Sequence, residues 1–130
     1  MAQASAAVEK IVQFPIRRAM RPIDLVHLAK QCLGDEHLEY EILRLFDTTM
    51  QTYFNRLVLS MGTAELAMNL HSIKGAASGV GAWTIAELAK TAEADMQAGR
   101  DVSPELVADL GLAVEEVHTF IERMLSNEPA

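Results

Sequence analysis

Cysteine is almost missing from this chain of 130 residues, with Cys32 the only one. One thiol closes no internal disulfide and builds no cysteine-rich zinc site, so a reducing compartment is the easier reading. Aromatic residues make up only 5% of the sequence. That is poor material for a β sandwich, whereas the plentiful Ala, Leu and Met suit a helical bundle. No apolar run nears the roughly 18 residues that would cross a bilayer. The start, MAQASAAVEK, lacks the charged-then-apolar order of a secretory signal. The expectation is a soluble, cytoplasmic protein with no membrane partner. Basic charge is scarce too. A net charge of −7 is the wrong sign for a nucleic-acid backbone. A single core fits this length, with no room for a separate nucleotide-binding or catalytic domain. Neither a G-x-x-x-x-G-K-[ST] loop nor a kinase signature set is present.

What charge there is lies unevenly. Residues 1–33 hold Lys10, Arg17, Arg18, Arg21 and Lys30 against Glu9 and Asp24, a net +3, and the remainder is −10. Residues 1–21 have no clean period and are interrupted by Pro15, with Pro22 just beyond. They read as a flexible or loosely docked extension in which Ile11, Val12, Phe14 and Ile16 could pack. The cluster of cations is a solvated leader, or an arm that meets an acidic partner.

From residue 22 to 126 the punctuation is regular, and 127–130 form a tail. Asp24 caps a short helix running to about Leu33 and stopped by Gly34. Asp35 caps the next, which runs to about Met61 with Ile42, Phe46, Met50, Tyr53 and Leu57 at helical spacing. Thr63 starts a third. Thr84 and Glu87 form a capping box for a fourth, which ends near Gly99. Ser103 and Pro104 open a fifth, whose stripe is Val107, Leu110, Val114, Val117, Ile121 and Met124. Connections are short, so neighbours run antiparallel. The fold class is all-α: an antiparallel four-helix bundle with an additional short N-terminal helix.

Within the third helix stands HSIKGAASGVGA, residues 71–82. At 100° per residue, Leu66, Leu70, Ile73, Ala77 and Val80 share one direction, the buried stripe, and His71 lies roughly 140° away. Its neighbours on that side are Ala67, Lys74, Gly75 and Ser78, small apart from the lysine. Glycine in a helix interior costs about 1 kcal/mol relative to alanine. Gly75, one turn beyond His71, is explained if something must approach the ring closely. The chemistry suits phosphoryl acceptance. An exposed imidazole, titrating ordinarily near 6.5, is largely neutral at cytoplasmic pH and keeps a nucleophilic lone pair. Lys74 at i+3 can swing toward phosphoryl oxygens, and Ser78 could donate a further hydrogen bond.

His71, Ile73, Lys74, Gly75, Ala76, Ala77, Val80, Gly81 and Ala82 resemble the motif of histidine-containing phosphotransfer (HPt) domains, roughly H-x-[LI]-K-G-[SA]-[SA]-x-x-[LVI]-G-[AL]. H-x-x-K-G alone arises by chance in on the order of 1% of chains this long. The likeness covers about residues 22–125. It includes the Gly-Asp step of PIDLVHLAKQCLGDEHLEYEILRLF and the stretch with Glu87, Leu88 and Glu93. Gly79 departs from the family, which often has a polar residue there. The resemblance implies a bundle whose exposed histidine takes phosphate from a receiver-domain aspartate and passes it to another receiver. His71 would be the phosphorylated residue, Lys74 the phosphate-facing cation and Gly75 the clearance residue, with Ala67, Met68 and Ser78 on the docking surface. It implies no cofactor of its own and no kinase or ATPase activity. Mg²⁺ belongs to the partner receiver, and the partners are response-regulator receivers or a hybrid histidine kinase, met by a monomer.

Two other functions compete. One is an interaction module that binds receivers or a kinase without transferring phosphate, and its mark would be a lost histidine. The other is a hydrolase using His71 as general base. It needs an orienting carboxylate, and the places one turn away hold Ala67, Met68, Lys74 and Gly75, with no acid. His27, His37 and His118 lack metal-ligand spacing and read as surface or rim residues. Cys32 reads as a packed thiol, and Trp83 as an anchor for the bundle end.

Overall fold

A computed structural model describes residues 21–130. The cations and apolar residues expected in the extension at 1–20 lie outside the described residues. Five helices follow one another: α1 Leu25–Gln31, α2 Glu36–Val58, α3 Thr63–Val80, α4 Trp83–Gln97 and α5 Pro104–Ser126. Among the described residues there is no strand. α3 packs against α2 and α4, and α5 closes the ring against the same two, while α1 lies on α2 and α3.

The caps follow local chemistry. Asp24, Asp35 and Ser103 each accept a hydrogen bond from the backbone N–H three residues on, those of His27, Leu38 and Leu106, which satisfies an otherwise orphaned donor. Pro104 occupies the first turn of α5. Leu70, Ile73, Ala77 and Val80 of α3 are buried, as their spacing requires, and Leu66 is half-buried. Leu70 and Ile73 are at most 1% exposed, and each contributes about 1.5–3 kcal/mol by leaving water. α2 and α5 add Leu43 and Ala113 to the core, while Ile42, Tyr53 and Met124 pack at its edge.

Several boundaries differ from expectation. α1 stops at Gln31, because Leu33 and Gly34 both take positive φ. α2 ends at Val58 rather than near Met61. The capping box of Thr84 and Glu87 does not form. α4 begins at Trp83, with Ala82 at the cap position and no side-chain cap. The reason is tertiary. Gly81 ends α3 in the left-handed region at φ 85, and Ala82 N–H returns to Ala77 O, a finish that leaves only a two-residue connection.

That connection is held from α1. Asp24 N–H donates to Gly81 O, and Trp83 Nε1–H donates to Asp24 Oδ2 at 2.9 Å. The His27 ring meets the Trp83 ring edge-on, with centroids 4.9 Å apart. A side chain at Gly81 would run into Asp24 and His27. Trp83 thus anchors the bundle end, as its position in the sequence suggested. The hydrogen bond from Trp83 is the main reason the Asp24 carboxyl sits below its ordinary value of 3.8.

Candidate functional site

α3 carries the exposed histidine halfway along its length, and its side chain is 74% exposed. The buried stripe on the opposite side fixes that direction. Gly75, one turn on, is exposed, and a Cβ built there would meet nothing within 4 Å. Nothing among the described residues therefore requires a glycine at this position. Gly79 is equally open; its carbonyl O lies 3.3 Å from His27 Nε2, so α1 borders the same face. Met68 is 63% exposed, whereas Ala67 and Ser78 are half-buried. Ser78 lies about 10 Å along the axis from His71, at the rim of the site.

α4 brings in the residue that reasoning along one helix missed. Glu93 Oε2 stands 3.2 Å from His71 Nδ1, and Glu93 Oε1 stands 2.7 Å from Lys74 Nζ. The absence of an acid within one turn of His71 therefore did not mean that no acid was near. The carboxylate comes from 22 residues away, across the α3–α4 interface. Along the sequence, Glu93 stands out only as a family-like residue. A test for acids on the neighbouring antiparallel helix would have found it.

Burial pushes the Glu93 carboxyl up, but Lys74 and His71 more than offset this and leave it below its ordinary value of 4.5. It is thus an anion at neutral pH. The Lys74 contact is an ion pair without hydrogen-bond alignment, since Oε1 is buried and has no well-directed donor.

The electrostatics fix the tautomer. An ionised carboxylate only accepts, so His71 Nδ1 carries the proton it shares with Glu93, and the lone pair resides on Nε2. The arrangement is a positioned nitrogen nucleophile with a carboxylate behind it and a cation beside it. Both Glu93 oxygens are engaged, by His71 and Lys74. Lys74 is one-third exposed and lies on Glu93 rather than pointing outward.

The other candidates lie elsewhere. His118, on α5, bonds Asp47 of α2 at 2.8 Å, and that bond raises its pKa above 6.5. His37, Glu41 and Glu128 bring ligand-type atoms within 4.8 Å of one another. Arg44 already contacts both carboxylates, at 3.4 and 2.8 Å. Cys32 is 4% exposed, and its thiol is pushed up by burial, as befits a packed residue. Among the described residues no helix is long and apolar enough to cross a membrane.

The described residues thus form a helical bundle that carries an outward histidine on α3. The chain matches the family model of the Hpt domain over residues 41–125, more than half its length. It belongs to the Hpt domain family. Histidine phosphotransfer in phosphorelays is the general activity of that family, and its members interact with receiver domains of two-component systems. No curated protein and no solved structure matches the chain.

Proposed function

We propose that this protein is a cytoplasmic, monomeric relay step in which His71 accepts a phosphoryl group from a receiver-domain aspartate and yields it to another receiver. The observation carrying this reading is an exposed imidazole whose Nδ1 is engaged by a carboxylate, which leaves Nε2 as the free nucleophile. In the step, the Nε2 lone pair attacks the phosphorus of the aspartyl phosphate. The bond from phosphorus to the aspartate oxygen breaks, and the aspartate leaves as a carboxylate. The ring gains positive charge, which Glu93 stabilises through the Nδ1 proton. Any Mg²⁺ would be held by the receiver's own residues, where it would supply charge neutralisation for the phosphoryl oxygens. Lys74 swings from Glu93 toward those oxygens once they sit on Nε2, since charge stabilisation and positioning supply most of the catalysis in such transfers. Gly75 keeps clear the space the receiver needs, and Ala67, Met68 and Ser78 border it.

Hydrolysis with His71 as general base is less well supported even with Glu93 present. The ring stands in solvent, its side chain 74% exposed, and among the described residues it lines no cleft that excludes bulk water.

The test incubates the protein with a phosphorylated receiver and Mg²⁺ and follows acid-labile, alkali-stable label. Label that persists in His71→Gln overturns the assignment. A receiver that binds tightly but delivers no label to the unaltered chain favours the interaction-module reading instead.

A further inference from the structure

Between α3 and α4 lies a hollow of about 350 Å³ that begins where the His71 site ends. Thr63, Ala64 and Ala67 form its α3 wall, and Glu93, Met96 and Gln97 its α4 wall. Ala67 is one helical turn before His71, and Glu93 is the carboxylate that engages the ring, so hollow and site share a boundary. Alanine and methionine make much of the lining apolar, and Glu93 is its one formal charge among the described residues.

Lys74 leaves Glu93 when it swings to the phosphoryl oxygens, and that departure strips a buried atom of its partner. Glu93 Oε1 is buried without a well-directed donor, and Lys74 Nζ at 2.7 Å is the one cation paired with it among the described residues. A buried carboxylate oxygen left without its cation is strongly unfavourable. The charge that builds on the ring reaches the carboxylate from the other side, through Oε2.

We propose that the docking receiver places one lysine or arginine side chain in this hollow, its stem along Ala64, Ala67 and Met96 and its cationic head at Glu93, where it replaces the charge of Lys74 as that residue departs. The inference rests on the phosphotransfer reading and names what the partner brings to the site. Long cationic side chains lay their methylenes on apolar surface and keep the charged head at a polar edge, which is the order of groups along this lining. A purely apolar occupant would cover Met96 but would desolvate Glu93 and bring it no charge. An acidic occupant would be repelled.

The experiment measures kcat and KM for label transfer from one purified phosphorylated receiver to the full-length chain and to variants at Gln97. Gln97 is exposed and follows Glu93 by one turn on α4, so a long side chain there leans back over the carboxylate. Gln97→Lys supplies the cation from within the chain and excludes the receiver's. KM should rise about 2–5-fold, the effect of one partly exposed ion pair, with kcat unchanged because Lys74 is released either way. Gln97→Glu should lower KM, and Ala64→Phe, which fills the hollow, should raise it. Ala94→Lys adds the same charge on the exposed side of α4, off the lining, and should leave KM alone. The inference is overturned if KM stays at the wild-type value in Gln97→Lys, if Gln97→Glu raises KM, or if Ala94→Lys matches Gln97→Lys. Those results leave phosphotransfer standing, whereas the absence of label on the unaltered chain removes the reading beneath both.

Discussion

Replacing Gly75 pulls stability and activity in opposite directions. The glycine sits inside α3 with helical backbone and open space where a Cβ would be. Gly75→Ala therefore introduces no clash and recovers the helix propensity that glycine gives up, about 1 kcal/mol. For a domain of this size that raises the melting temperature by roughly 4 °C. Gly75→Leu should also fold, since its side chain enters solvent. A long side chain on a helix leans back toward the N-terminus and covers the residue one turn earlier, which here is His71. The leucine would stand beside Nε2, in the volume an approaching receiver must fill. Displacing reacting atoms by about 1 Å can cost on the order of 100-fold in rate, and a loss of that size is expected. Thermal melts by circular dichroism and the time course of label transfer from a phosphorylated receiver read the two effects separately. Transfer by Gly75→Leu at the wild-type rate would refute the clearance argument. A lower melting temperature for Gly75→Ala would show instead that the glycine serves the fold.

Lys74→Ala should leave helicity intact and slow transfer or shorten the life of the phosphohistidine; wild-type values for both would show its charge to be idle. Trp83→Phe removes the donor to Asp24 Oδ2 and should cost about 1–2 kcal/mol at pH 7, read from urea midpoints. Because folding depresses the Asp24 pKa, this contribution is fully present above the unfolded value near 3.8 and is lost as pH falls through the folded value. The gap between wild type and Trp83→Phe should accordingly narrow in acid, and a gap independent of pH would contradict the coupling. His118 behaves with the opposite sign. Its pKa is raised by Asp47, so the stability it lends the α2–α5 contact is full below about 6.5 and declines as pH rises through the folded value. The advantage of wild type over His118→Gln, up to about 1 kcal/mol, should shrink between pH 6 and 9. An advantage that grows over that range would contradict the pairing with Asp47.

Periodicity within single helices made most of this protein readable from its residues. The stripe of Leu70, Ile73, Ala77 and Val80 fixed which way α3 faces, and so placed His71 in water and Gly75 beside it. Asp24, Asp35 and Ser103 marked helix starts because a cap is a local bond, made within three residues. Wherever two helices had to meet, that logic failed. Thr84 and Glu87 had the letters of a capping box, yet the left-handed turn at Gly81 and the Trp83–Asp24 bond started α4 earlier. Glu93 was invisible as a partner for His71 because spacing along one helix carries no information about the rotation of its neighbour. Only the packing of α3 on α4 brought that carboxylate within 3.2 Å of the ring and so decided which nitrogen is left to react.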